Sequence, residues 1–423
     1  MAFRTVSMTL TSMLLGFGAM NAAAQEYMPP TSTPPAGDYE PQGEYVGMIE
    51  GGGKLGAWVV SRGNSKFDVV LLPGGLLSLW EKTETRDADP NGGWDGKTRY
   101  TAANITLSGT TFNATINGGG KTYLLTSITG TGANRILNGT AGGSPFALAR
   151  KTAVYGIGGE RKALTLGLRP EGKAWATGFQ SWFVDGNKAT QAEAQADLTK
   201  WKNRENGVQL KYGNFLWRGI QSSASHGTCF LHIEARSPFM PTATGQSRGN
   251  SGVYLRGMHE QQVLDSFGLT GTNDEMGAVY KIKVPAVNAV LPPLSWQVYD
   301  IYYTAGSGTN GSFTTYLNGV KVQDATAVTV ITEGGFNGTT LYLQNHGNEV
   351  IFNNIWIVPN ATPDNLPYET ILKSTDVVSI RPIRRGSKTL AIGSAGDPAA
   401  FFDATGRSIQ GETGKLPILL LRR

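Results

Sequence analysis

The residues best equipped for chemistry lie between positions 251 and 265, with a second group near 346. In Ser251-Gly252-Val253-Tyr254-Leu255-Arg256, Val253 and Leu255 alternate with Tyr254 and Arg256, which is the period of a strand with one greasy face and one functional face. A turn around Gly257-Met258 is expected to bring Arg256 close to Glu260, and the returning segment places Glu260 and Gln262 on one face. A carboxyl group, a guanidinium and an amide on one face of an apolar hairpin make a binding surface able to move a proton. Glu260 and Asp265 are the tempting carboxyl pair, but residues five apart fall on opposite faces of a regular strand unless a bulge intervenes. Alternation supplies two further groups: His232, Glu234 and Arg236 in one segment, and Tyr342, Gln344 and His346 in another. If these polar faces line one concave sheet, they build a single site.

The elements that must position these residues read as β structure throughout. With 56 glycines and only 16% charged residues, the 423-residue chain has the composition of turn-rich β folds and length for two or three domains. The net charge of +5 is small and scattered, which gives no support to nucleic-acid binding. Arg4, an apolar run from Met8 to Ala19 and Ala22-Ala23-Ala24 read as a secretory signal peptide over residues 1–24, and nothing later is apolar enough to span a membrane. A Pro-rich linker or strap occupies 25–43, then comes a small β domain over 44–152 whose strand Phe112, Ala114, Ile116 alternates cleanly. The spacing of Ala194, Leu198 and Trp201 predicts the one helix, Lys188 to Lys202. Cys229, the single cysteine, excludes an intrachain disulfide and reads as a small buried hydrophobe.

Several short stretches, in order, carry a family resemblance. RGNSGVYLRG-x-x-E-x-Q-V-L-D-S-F-G begins at Arg248, Asn273-Asp274-Glu275 and Trp296-Gln297-x-Tyr299-Asp300-Ile301 come next, and Leu341 to Asn348 with Asn354-Ile355-Trp356 completes the series. Together with Leu231 to Pro241 they resemble the 3-keto-disaccharide hydrolase family over about 160–360. The resemblance implies an all-β chain: a concanavalin A-like β-sandwich (jelly roll) over 158–362, between the small β domain and a β-rich tail over 363–423. That tail resembles C-terminal sorting or attachment modules of secreted bacterial proteins. A small appendage packed on the sandwich is the alternative.

A 3-keto sugar, the substrate the resemblance implies, allows an unusual route. The carbonyl acidifies the hydrogen on C2, a base removes it, the glycosidic oxygen leaves C1, and water adds back. Glu260 is then the base or acid, His346 an acid or enolate donor, and Arg256 the electrostatic stabiliser. Gln262, Tyr254, Gln344, Asp265, Glu234, Arg236 and Trp217 are the expected substrate-binding residues, with Tyr254, Tyr342 and Trp217 suited to stack on pyranose faces. Laminarinase-type glucanases carry E-x-D-x-x-E where this chain has Glu260-Gln261-Gln262-Val263-Leu264-Asp265, which argues against their two-carboxylate chemistry.

A divalent metal, calcium or another, stays open as a cofactor, held by His346 with Glu260, His232 with Glu234, or the loop carboxylates Asp265, Asp274 and Glu275. The chain departs from the family pattern at Ala235, His259, Gln261, Asn345, Ile351 and Asn353. A non-catalytic, lectin-like glycan-binding protein of the same fold is therefore the alternative to an enzyme. The expected partners are an oligosaccharide or oxidised sugar and, through the tail, secretion or cell-surface machinery. The expected location is secreted, periplasmic or cell-surface.

Overall fold

The computed structural model describes residues 24–29, 32–77, 93–151, 183–185, 203–204, 207–209, 220–368 and four short strands between 390 and 420. The chain is nearly all β. The expected helix over 188–202, Trp217, the signal segment and most of the tail lie outside the described residues.

Eight antiparallel strands close a barrel: β1 (Gly43–Met48), β2 (Lys54–Gly63), β3 (Lys66–Pro73), β4 (Tyr100–Ser108), β5 (Thr111–Gly118), β6 (Lys121–Thr129), β7 (Ile136–Ala141) and β8 (Ser144–Arg150). Leu55, Ala57 and Val59 of β2, with Phe67, Val69 and Leu71 of β3, fill its interior beside Phe112 and Ile116 of β5. The alternate residues Trp58, Val60, Val70 and Leu72 point outward and join a second core. That explains why β2 and β3 read as continuous apolar runs while β5 alternates. Strands buried on both faces have no use for polar residues. Trp58 lies 6.0 Å from the Phe267 ring, and the Arg99 guanidinium donates to the Leu269 carbonyl at 2.8 Å, so the barrel packs directly against the segment 267–269.

Two further sheets face each other. A seven-stranded sheet has the order β10 (Asn203–Arg204), β11 (Gly207–Gln209), β20 (Ile351–Pro359), β13 (Cys229–Arg236), β16 (Gln297–Ala305), β17 (Gly311–Leu317), β18 (Val320–Val328). A five-stranded sheet has the order β15 (His259–Val263), β14 (Ser251–Leu255), β19 (Thr340–Leu343), β12 (Ile220–Ser225), β9 (Phe183–Asp185). Leu231, Ile233 and Ala235 of β13 share one core with Val253, Leu255 and Val263 of β14 and β15, so these residues line the facing inner surfaces. His259 and Gln261, two of the departures from the family pattern, also point inward. His259 Nδ1 lies 2.8 Å from the Tyr303 hydroxyl, and Gln261 Oε1 accepts from Thr315 at 2.8 Å. Polar side chains between two sheets are tolerable only with partners, and both have them.

Residues ahead of the barrel form a strap rather than a free linker. Tyr27 bridges Phe239 backbone to backbone, and Met28 is buried among Phe239, Leu294 and Ile351. The Asp38 carboxylate accepts from the Asn64 and Ser65 amides on the barrel. Cys229 is buried, as expected, and burial pushes its thiol up to about 12.

Candidate active site

The alternation that buries Val253, Leu255 and Val263 sends Glu260, Gln262, Gly252, Tyr254 and Gln344 to the outer face of the five-stranded sheet. There the hairpin register sets Tyr254 opposite Glu260 and Gly252 opposite Gln262, and β19 lies alongside with Tyr342 opposite Tyr254. Gly252 makes the hollow. A Cβ there would collide with Glu260 Oε1 and come within 2.9 Å of both the Glu260 carboxyl carbon and the Tyr254 ring.

Loops raise the walls of a cleft of about 230 Å³, solvent at its mouth included, lined by Gln246, Asn250, Glu260, Gln262, Tyr280, Glu333, Gln344 and His346. Tyr280 arrives on a loop that hydrogen-bonds along β15, its amide donating to the Glu260 carbonyl at 3.0 Å. His346 comes after β19 in a turn that the Asn345 side chain stabilises by accepting from the Gly347 amide at 3.0 Å. An amide relay fixes one wall. Gln262 and Asn250 both donate to Gln246 Oε1 at 3.0 Å, and Gln246 donates to the Asp274 carbonyl. Asn250 is held from behind, because its amide donates to Asn348 Oδ1, and Asn348 donates in turn to Glu26 of the strap.

Electrostatics give the cleft its character. Glu260 is 2% exposed, and burial together with the neighbouring Glu333 charge pushes its carboxyl up to about 8, despite the polar Tyr254 hydroxyl beside it. It is therefore mostly protonated at neutral pH and can donate. Burial lowers His346, so its imidazole is neutral there. The Tyr254 hydroxyl donates to the Glu333 carbonyl at 2.9 Å and accepts from Gln344 at 3.0 Å. Asn250 Oδ1 and Gln344 Oε1 are buried acceptors without a partner. Such orphans are costly unless a ligand supplies the donor.

The structure separates several residues that sequence reasoning grouped. Arg256 does not approach Glu260. β14 ends at Leu255, Arg256 takes the left-handed φ of 56° in the turn, and its guanidinium donates to the Gly306 carbonyl at 3.2 Å. Asp265 lies beyond the end of β15 and pairs with buried Arg248 at 2.8 Å, away from the cleft. Glu234 and Arg236 are on the outer face of the other sheet, across the sandwich: Arg236 donates to the Leu294 carbonyl, and Glu234 lies 3.8 Å from His232. His232 is set against Asp300 at 2.7 Å; burial works against its charge, but Asp300 and Glu234 outweigh that and raise it to about 9. Tyr254 is fully buried beneath the cleft, so its ring cannot stack on a sugar. Glu333 and Tyr280, both on loops, were not found from the sequence, where alternation gives no signal. Gln246 and Asn250 escaped for the same reason.

The loop carboxylates considered for a metal do not converge. Asp274 is ion-paired with Lys281 at 2.7 Å, Glu275 accepts from the Gly271 amide, and Asp265 is held by Arg248. Among the described residues no group of three or more His, Cys, Asp or Glu side chains is placed to hold an ion.

Comparison with known proteins gives the same centre of interest. The model of the 3-keto-alpha-glucoside-1,2-lyase-like domain matches residues 178–358, which contain every residue lining the cleft. A crystal structure of a candidate glycosyl hydrolase from Parabacteroides distasonis is 33% identical, covering 38% of this chain and 74% of that one, with a TM-score of 0.34. Two others from the same organism are 17% and 18% identical, cover 38% of this chain and 84% and 91% of theirs, and have a TM-score of 0.28. No curated protein matches. On that match, residues 178–358 of this chain belong to the 3-keto-alpha-glucoside-1,2-lyase-like family.

Proposed function

We propose that the protein cleaves 3-keto-glycosides, with the sandwich as a concanavalin A-like jelly roll carrying the site and the barrel as its structural support. The observation that supports this best is Glu260: a buried, protonated carboxyl at the floor of a small cleft walled by amides and a neutral histidine. A neutral acid is what a departing glycosidic oxygen needs, since it leaves C1 far more readily as a hydroxyl. His346 donates an N–H to the keto oxygen as negative charge gathers there, a part left open by Arg256. The orphaned Asn250 and Gln344 oxygens accept from sugar hydroxyls. Among the described residues no lysine or arginine lines the cleft, which favours an uncharged sugar over an acidic one.

The signal-like segment fits a protein exported by a bacterium and acting in the periplasm, at the surface or outside, with the tail as an attachment element. Incubating the chain from Gln25 onward with 3-keto-trehalose and 3-keto-lactose, with and without EDTA, tests the reading. Monosaccharide release that Glu260→Gln abolishes is expected, and loss with EDTA would add a metal. Binding of these sugars without release would replace the enzyme by a glycan-binding protein.

A further inference from the structure

A reaction that takes one proton and gives another needs two groups, and Glu260 can fill only the donor's place. Asp265 is locked to Arg248 outside the cleft. Of the remaining lining residues only Glu333, His346 and Tyr280 titrate. Burial raises the Tyr280 phenol, which keeps its proton, and His346 is already given to the keto oxygen in the reading above.

We infer that Glu333 is the second carboxyl group of the site, the base that takes the proton from C2 of the 3-keto sugar while Glu260 protonates the departing oxygen. The inference rests on the keto-glycoside reading above and adds a residue to it. Glu333 is exposed at the cleft mouth, whereas Glu260 is buried at the floor, so the two carboxyls meet opposite solvation. Its side chain lines the same cleft as Glu260, Tyr280 and His346. The loop that carries it is pinned to the Glu260 hairpin. Thr332 donates twice to the Met258 carbonyl and accepts from the Glu260 amide at 2.9 Å, and Tyr254 donates to the Glu333 carbonyl itself. Gly334 permits this approach, since a Cβ there would stand 2.7 Å from the Tyr254 hydroxyl.

The proton balance closes. Glu333 first takes the C2 proton, leaving an enolate; the enolate then expels the C1 oxygen, which takes its proton from Glu260, and a C1–C2 double bond conjugated to the ketone remains. Water then adds through the same pair. Glu260, now ionised, takes a proton from water as hydroxide joins C1, and Glu333 returns its proton to C2. Both residues end as they began, and the net change is hydrolysis.

The test tracks 3-keto-trehalose in D₂O by NMR, reading deuterium entry at C2 and monosaccharide release for the full chain and its variants. Glu333→Gln is expected to lose both by ~100-fold or more while substrate Kd stays within about threefold. Glu333→Asp should recover part of the exchange. Glu260→Gln should lose release yet keep C2 exchange, because its defect lies after the carbanion. Exchange by Glu333→Gln within about threefold of wild type overturns the assignment, as does a matching loss of binding. Wild-type protein that binds the sugar but neither exchanges nor releases it refutes the keto-glycoside reading itself, and the Glu333 assignment falls with it.

Discussion

Replacing Glu260 by glutamine should make the protein more stable at alkaline pH, although it removes the group proposed to act. An ordinary glutamate loses its proton near 4.5, whereas burial holds the Glu260 proton to about 8. Between those values the folded chain binds a proton that the unfolded chain has released, so stability falls as pH rises through this window and levels off above it. At about 1.4 kcal/mol for each pH unit, the full loss is roughly 5 kcal/mol, an upper bound because the cleft floor can hydrate on ionisation. Glutamine has nearly the shape of the protonated acid and cannot ionise. Below pH 4.5 the two proteins should therefore unfold at similar denaturant concentrations, and by pH 9 the variant should be more stable by several kcal/mol. His232 has its own pH dependence, but both proteins carry it, so it cancels in the difference. Urea unfolding of both between pH 4 and pH 9.5 gives the comparison. Two curves that stay parallel across that range would refute the buried, proton-holding carboxyl and, with it, the general-acid role.

Three further outcomes rest on named contacts. Gly252→Ala should leave the fold intact yet cut turnover by ~10²-fold, because the new methyl must push the Glu260 carboxyl aside; steady-state rates with circular dichroism as control will show it. Asp300→Asn should cost about 3–5 kcal/mol below pH 6.5, where His232 is charged and loses its partner, and progressively less as pH rises through about 9; denaturation at pH 6 and pH 9.5 measures the difference. Cys229 should react with a thiol reagent only on unfolding, so a native protein that labels quickly would contradict its burial.

Strand alternation was legible in the sequence wherever a strand was regular. It places Glu260 and Gln262 on one face of β15 and His232, Glu234 and Arg236 on one face of β13, and both faces form as read. What alternation cannot tell is which sheet a strand joins. β13 and β15 look alike in sequence but lie in opposing sheets, so their polar faces look out from opposite sides of the sandwich. Alternation also fails where a strand stops. Arg256 and Asp265 lie just past the ends of β14 and β15, and in each case the chain has already left the strand's geometry. Loop residues such as Glu333 and Tyr280 reach the cleft through contacts distant in sequence, which no local pattern encodes. The continuous apolar runs of β2 and β3 were visible, but not their cause, a barrel wall that serves two cores at once.

The strap gives the site an order of assembly. Glu26 is made early, yet its partner Asn348 comes more than three hundred residues later. Met28 likewise waits for Ile351 to be made before its cluster can close. An early-made segment is thus among the last to find its place, and Asn250 gains its full backing only then. A chain cut short before Asn348 lacks the partner of Glu26, so a half-made protein leaves the Asn250 wall of the cleft without its backing.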